Sequence, residues 1–377
     1  MKTSSRINPF VTIGYQGPEY FCDREKETDK LFRELTNGNN VVLLAHRRMG
    51  KTGLIRHCVH TRELNRQYNV FIVDMLSAKN LKDFTLMLAN SIVYSLKKFD
   101  ERALDMFLKI VSSLQGAFSS PLPGEPFFKM QYVGLPDPEH TLEQIFSYIG
   151  NSKKPCIVAI DEFQQVEKFP ETETESLLRT YTQTTPESRF IFAGSERRTM
   201  GRMFTSENRP FYQSATPLHL EKIDIAKYTE FIKSHFNANG KDIEDEVITT
   251  TYGFFNGITW YIQKMMNEMF SLVPKKGECT MDTFKYALEE ILQSYDYIYE
   301  ESLYKIPEKQ KELLIAIAKE GPVKEMTSEA FSRKYGLYTS SIQSARKGLI
   351  NKEYITEDLG KYYIYDKFFE IWLNTRF

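Results

Sequence analysis

The chain has 377 residues, 41% of them hydrophobic, enough for two or three domains with ordinary cores. Its formal net charge of -1 excludes nucleic-acid binding by global basicity and leaves only a local patch. No apolar run approaches the roughly 20 residues of a membrane span, and the start MKTSSRINPF lacks the apolar core of a signal peptide, so a cytoplasmic protein with no membrane partner is expected. Cys22, Cys58, Cys156 and Cys279 are scattered without a CxxC or a Cys/His cluster. They read as reduced, partly buried thiols rather than disulfides or zinc ligands.

Over residues 1–223, strand-like apolar runs alternate with helical stretches. The runs are VVLLA (41–45), NVFIVDM (69–75), CIVAI (156–160), RFIFAGS (189–195) and TPLHLEKI (216–223). LKDFTLMLANSIVYSL (81–96) and ESLLRTYTQ (175–183) carry the i, i+3, i+4 spacing of amphipathic helices. The alternation predicts an α/β fold with a parallel sheet and helices on both faces. SSPLPGEPFF (119–128) reads as a surface insertion before a helix at 141–149.

Residues 224–299 read as helical, with IAKYTEFIKSHF and TWYIQKMMNEMF as clear amphipathic segments and no β pattern. Residues 300–377 read as helix, helix, helix, hairpin. Pro307 opens EKQKELLIAIAKEG and Gly321-Pro322 ends it; TSEAFSRKYG closes at Gly336; TSSIQSARKGLINKEYI follows. The latter two begin with Thr or Ser as an expected N-cap, and the end alternates around a Leu359-Gly360 turn. That is the order of elements in a winged helix. The expected domains are therefore an α/β core (1–223), a helical lid (224–299) and a winged-helix-like domain (300–377).

The chemistry concentrates at VVLLAHRRMGKTGL (41–54). A triphosphate needs clustered backbone N–H donors, a cation and a hydroxyl for magnesium, and a loop that opens a helix supplies them. His46, Arg47, Arg48, Met49, Gly50, Lys51, Thr52 and Gly53 form the expected nucleotide-binding loop. The triplet Gly-Lys followed by Ser or Thr alone arises by chance in roughly one chain in five of this length, but here it follows a buried strand. Ala45 stands where the general motif has Gly. In CIVAIDEFQ (156–164), two acids follow another buried strand. Asp161 would hold Mg2+ with Thr52, and Glu162 would orient and deprotonate the attacking water. Ser195, at the end of RFIFAGS, reads equally as part of an ordinary strand-terminating turn or as a sensor of the terminal phosphate that acts with Lys51 and Glu162 in catalysis.

The set FCDREKE (21–27), LLAHRRMGKTGLI (43–55), VAIDEFQ (158–164) and IFAGSERRTM (191–200) resembles the archaeal-type ATPase family of P-loop proteins, close to the STAND and AAA+ groups of the additional-strand-glutamate division. The resemblance implies a P-loop NTPase sheet, a helical lid, usually a winged-helix tail, and ATP/ADP as ligand. It also implies that Phe21 and Arg24 approach the adenine or pack the lead-in segment over the nucleotide. In structural terms FCDREKE reads as a helix start with Asp23 as cap. The family's Gly-x-Pro lid element has no Pro in Tyr252–Thr259, so no lid residue is assigned. Arg197, Arg198 and Arg202 follow the sensor strand; a solvated basic turn is the preferred reading over an arginine finger.

From Leu303 to Phe377 there are thirteen Lys and Arg against ten Asp and Glu, giving 13 - 10 = +3. Thr339, Ser340, Ser341, Gln343, Ser344, Arg346 and Lys347 are residue types able to reach bases or phosphates, and DNA and protein remain open as partners. Phe368, Phe369, Ile371, Trp372 and Leu373 are expected to pack as core. The preferred function is a nucleotide-dependent switch that hydrolyses ATP to ADP and phosphate. An oligomeric DNA- or protein-remodelling ATPase and a non-hydrolysing nucleotide-bound scaffold are the alternatives.

Overall fold

The computed structural model describes residues 8–111, 137–358 and 360–377. The insertion expected at 119–128 and Leu359 of the expected turn lie outside the described residues. The chain divides into two compact units, Ile13–Asp224 and the described residues up to Thr12 together with Ile225–Phe377.

In the first unit, β1 (Val41–Leu44), β2 (Asn69–Asp74), β3 (Cys156–Asp161), β4 (Arg189–Gly194) and β5 (Thr216–His219) form a parallel sheet in the order β2-β3-β4-β1-β5. β1 and β3 are buried at every residue, because helices cover a parallel sheet on both faces and select unbroken apolar runs. The expected α/β fold is therefore present. β5 ends at His219, short of the expected 223, because its partner β1 ends at Leu44; a last backbone bond joins Leu220 to Leu44 at 2.9 Å.

The helices of this unit are α1 (Glu25–Thr36), α2 (Lys51–Thr61), α3 (Leu81–Phe99), α4 (Glu101–Ile110), α5 (Pro138–Asn151), α6 (Thr174–Gln183) and α7 (Arg197–Thr205). α4 is absent from the sequence reading. Asp100 ends α3 and accepts from the Ala103 N–H at 3.0 Å to cap α4, so the two helices abut through one residue. α1 places Glu25 and Glu27 in its first turn and Arg33 in its last, as the helix dipole favours. Its N-cap is Arg24 rather than the expected Asp23: both residues have positive φ, 55° and 79°, but it is the Arg24 carbonyl that accepts the first helical bond, from Thr28 N–H at 2.8 Å.

The second unit contains α8 (Ile225–Ala238), α9 (Asp245–Phe254), α10 (Thr259–Leu272) and α11 (Met281–Tyr304). It also holds a parallel pair, β6 (Asp242–Ile243) and β7 (Glu278–Cys279), where no β structure was expected; two residues per strand are too few to show alternation. Phe10 is fully buried against Phe231, His235, Phe236 and Phe270. Asn8 donates to the Asn267 carbonyl and Asn267 donates to that of Phe10, both at 2.7 Å, which pins the N-terminal segment to α10.

The same unit continues with α12 (Glu308–Glu320), α13 (Glu329–Tyr335), α14 (Thr339–Asn351), the antiparallel pair β8 (Ile355–Asp358) and β9 (Lys361–Ile364), and α15 (Lys367–Arg376). A bridge between Val323 and Tyr362 adds a third short strand to the hairpin, completing a winged helix. Ser328 caps α13, accepting from Phe331 N–H at 3.3 Å, whereas α14 begins after Tyr338 with no side-chain cap, so Thr339 lies inside the helix rather than capping it. Phe368, Phe369, Trp372 and Leu373 are buried as expected.

Candidate active site

The loop between β1 and α2 ends in a Gly that the backbone demands. Gly50 has φ 87° at the N-cap of α2, and no side chain caps the helix, so its first-turn N–H groups face the loop. Ala45 is buried and is not among the residues with positive φ, so the missing Gly imposes no strain there; Arg48 (φ 70°) and Gly50 make the turn instead. Met49 is buried beneath the loop while His46 is exposed.

Strand order brings the charged groups together. β4 lies between β1 and β3, and the carboxyl ends of β1 and β3 deliver Lys51 and Asp161 to the same edge of the sheet. The Thr52 hydroxyl donates to Asp161 Oδ2 in a short contact. Lys51 Nζ lies 3.9 Å from Glu162 Oε1. Glu162 Oε2 accepts from Ser195 Oγ and from Gln164 Nε2, each at 2.5 Å. Glu162 has φ 57°, and its N–H donates to Asp161 Oδ1 at 3.0 Å, a sharp turn that aims its side chain back over the strand ends.

Burial sets the electrostatics. It holds the Lys51 ammonium below its ordinary range, partly offset by the Glu162 and Asp161 carboxylates. It pushes the Asp161 carboxyl up, against the Thr52 hydroxyl and Lys51. Burial would raise Glu162 too, but Lys51 and the bonds from Ser195 and Gln164 outweigh it and hold Glu162 below the usual range. Thr52 and Asp161 thus present two hard oxygen donors side by side beside a cation, a donor set that fits Mg2+ completed by water and phosphate oxygens.

Around this cluster, Gly53 gives room to Phe21: a Cβ there would lie 3.1 Å from Phe21 Cε2. Phe21 stacks on His57 with centroids 4.3 Å apart, and the Tyr15 hydroxyl lies 3.1 Å from His57 Nδ1. Arg24 is buried, pairs with Glu27 at 2.7 Å, and leaves Nη2 without a hydrogen-bond partner. Arg197 donates to His46 Nε2 at 3.1 Å, and Arg202 pairs with Glu167 at 2.6 Å, while Arg198 lies in the first turn of α7. Arg47 and Arg48 are half-buried in the loop. Gln164 is the residue that sequence reasoning left without a role. It stands in the segment VAIDEFQ (158–164) that carries the family resemblance, but its contact with Glu162 becomes visible only in the structure. A cavity of about 470 Å³ lined by Asn39, Asn40, Tyr212 and Thr216 opens at the amino ends of β1 and β5, the end of the sheet opposite Lys51.

Residues 21–265 match the sequence model of a family described as an ATPase domain predominantly from Archaea. The chain belongs to this family. Residues 297–375 match a probable winged helix domain, in agreement with the fold of that segment. Among solved structures, a Walker-type ATPase of Pyrococcus abyssi is similar over 97% of this chain and 99% of its own, at 19% identity and a TM-score of 0.62. The ORC1 protein of Aeropyrum pernix, solved in complex with DNA, covers 98% of this chain and 97% of its own at 13% identity and a TM-score of 0.56. The ORC2 protein of the same organism, solved as ADPNP-ADP complexes, covers 98% of each chain at 14% identity and a TM-score of 0.56. No curated protein matches the sequence significantly. At these identities the structural likeness concerns the fold of this ATPase-family chain. Among the described residues no helix is long and apolar enough to cross a membrane.

Proposed function

We propose that the chain binds ATP and hydrolyses it to ADP and phosphate, using the nucleotide state to switch its winged helix. The observation that carries this is the convergence of Lys51, Thr52, Asp161, Glu162 and Ser195 at the carboxyl ends of β1, β3 and β4. The Gly50–Thr52 amides cradle phosphates, and Lys51 turns from Glu162 toward the terminal phosphate. Thr52 and Asp161 would hold Mg2+, whose charge offsets that of the phosphates. Glu162 accepts a proton from the attacking water, and Ser195 sits where it senses the terminal phosphate. Phe21 and Arg24 form the lead-in side, the unpartnered Arg24 Nη2 being a donor for a base or ribose acceptor.

For the winged helix we favour duplex DNA over protein. Residues 330–352, which contain α14, form a run of 23 residues with five Lys and Arg and no acid. The longest such run, residues 35–62, contains the phosphate loop. Ser340, Gln343, Ser344 and Lys347 are exposed on α14, residue types suited to bases and phosphates. Arg346 drops out of the expected reading set, because it donates to the Tyr362 hydroxyl at 3.3 Å and stacks over that ring at 5.4 Å.

The test is calorimetric ATP and ADP affinity with steady-state hydrolysis for wild type, Lys51→Ala and Glu162→Gln. Lys51→Ala should lose ATP affinity by about 100-fold or more, through an unpaired phosphate and unpaired carboxylates. Glu162→Gln should keep binding and lose turnover by about 10²- to 10⁴-fold. Wild type without affinity for either nucleotide would return the chain to the scaffold reading.

A further inference from the structure

We infer that Gln164 is a positioning residue for hydrolysis: with Ser195 it pins one carboxylate oxygen of Glu162, so that the other is presented toward Lys51 and the phosphate loop. This rests on the hydrolytic reading above. Gln164 Nε2 and Ser195 Oγ both reach Glu162 Oε2 at 2.5 Å, and Gln164 Nε2 also lies 3.4 Å from Ser195 Oγ, closing a triangle of three side chains. A carboxylate only accepts, so the NH₂ end of the amide must face Glu162. That leaves Oε1 as the oxygen 3.9 Å from Lys51 Nζ.

Three observations separate this role from simple filling of space. Gln164 is 1% exposed, and its carbonyl Oε1 is buried without a hydrogen-bond partner. A buried carbonyl left unsatisfied is costly, and Leu or Met would fill the same volume without that cost, so the feature that distinguishes Gln is its NH₂ group. The neighbouring strand is shaped around it as well: a Cβ on Gly194 would sit 2.4 Å from Gln164 Oε1. Finally, Glu162 leaves β3 through a left-handed backbone conformation, φ 57°. Its side-chain direction is therefore set by the two donors beyond that turn rather than by the strand. A general base needs its free oxygen aimed at one water position, and small misalignments are expensive in rate.

Gln164→Leu and Gln164→Asn, the second too short to reach, should each lower kcat by about 10- to 100-fold, the range for losing a hydrogen bond to a charged group. The KM for MgATP and the Kd for ADP should stay within about twofold, because the amide touches Glu162 and not the phosphate loop. In a Glu162→Gln background, Gln164→Leu should cost nothing further in turnover. Equal losses in both backgrounds, or a change in KM with kcat kept, would assign Gln164 a structural role and overturn the inference. Wild type that binds nucleotide without turnover would instead sink the hydrolytic reading. The inference is then decided by a crystal structure of apo Gln164→Leu or Gln164→Asn. Glu162 should leave its present rotamer in that structure, and an unmoved Glu162 would refute the pinning.

Discussion

The cluster around Glu162 and the outer face of α14 are both polar, but Lys51, Asp161 and Gln164 are 6%, 6% and 1% exposed, whereas Ser340, Gln343, Ser344 and Lys347 face solvent. In the first, desolvation makes every polar group depend on its neighbour, so residue type and spacing are constrained together and one exchange disturbs the rest. In the second, water replaces any lost partner, and each side chain contributes separately and weakly. The contrast explains why the sequence around Lys51 and Asp161 implied a definite chemistry while that of α14 left DNA and protein open.

The sharpest way to break that contrast uses two glycines with similar crowding. A Cβ on Gly194 would meet Gln164 Oε1 at 2.4 Å and Met200 Cγ at 2.5 Å, both in buried residues that cannot withdraw. Gly194→Ala should destabilise the protein by about 1–3 kcal/mol, read as a lower urea midpoint at unchanged m-value. On α14, a Cβ on Gly348 would meet Gln310 Nε2 at 2.1 Å, a nominally worse clash, but with the end of a flexible, partly exposed side chain. There the gain in helix propensity, about 1 kcal/mol, offsets moving Gln310 away. Gly348→Ala should therefore change stability by no more than about 1 kcal/mol in either direction. Equal destabilisation by both would mean that the face of α14 is packed as tightly as the Glu162 cluster.

Next in size are the two basic residues of α14, which the structure treats differently. Lys347 is exposed, and Lys347→Ala should weaken duplex DNA binding and reduce the slope of log K against log salt by about 1. Arg346 lies over Tyr362, so Arg346→Ala should leave the slope unchanged and lower stability by about 0.5–2 kcal/mol through the lost cation–π contact. Filter binding between 50 and 200 mM salt, paired with thermal unfolding, separates the two. If Arg346→Ala moves the salt slope and Lys347→Ala does not, the reading face of α14 has been misassigned.

Legibility in the sequence followed burial in the same way. β1 and β3 were readable because both faces are covered, and a strand in that position selects an unbroken apolar run that stops at a polar loop. α4 was hidden because Asp100 serves both as the end of α3 and as the cap of α4, with no loop composition between them. Phe10 gave no signal at all. Its partners Phe231, Phe236 and Phe270 lie more than 200 residues away, and no local periodicity marks a contact of that separation. At the candidate site, Lys51, Thr52, Asp161 and Glu162 were legible from their positions after strands. Gln164 stood inside the segment that carries the family resemblance, yet its role was not legible, because its reach to Glu162 depends on the turn at Glu162 and on the missing side chain of Gly194.

The smallest expected effects concern the thiols, and they test whether burial extends through both units. All four cysteines are free and buried rather than partly buried. Burial pushes Cys58 and Cys279 up to about 12 and Cys156 up to about 11, against an ordinary value of 9.0. These three should remain protonated at pH 8 and resist iodoacetamide until the protein unfolds, since the thiolate is the reacting form. The sign of the accompanying stability change follows from proton binding. Between pH 9 and 11 the unfolded chain loses thiol protons that the folded chain keeps, so the folded state binds more protons and these groups make stability fall as pH rises. Cys58 sits on α2, seven residues after Lys51 in the same helix. Labelling of Cys58 at pH 8 in the absence of denaturant would mean that α2 opens locally, and that the desolvated environment assigned to Lys51 is interrupted on the same timescale.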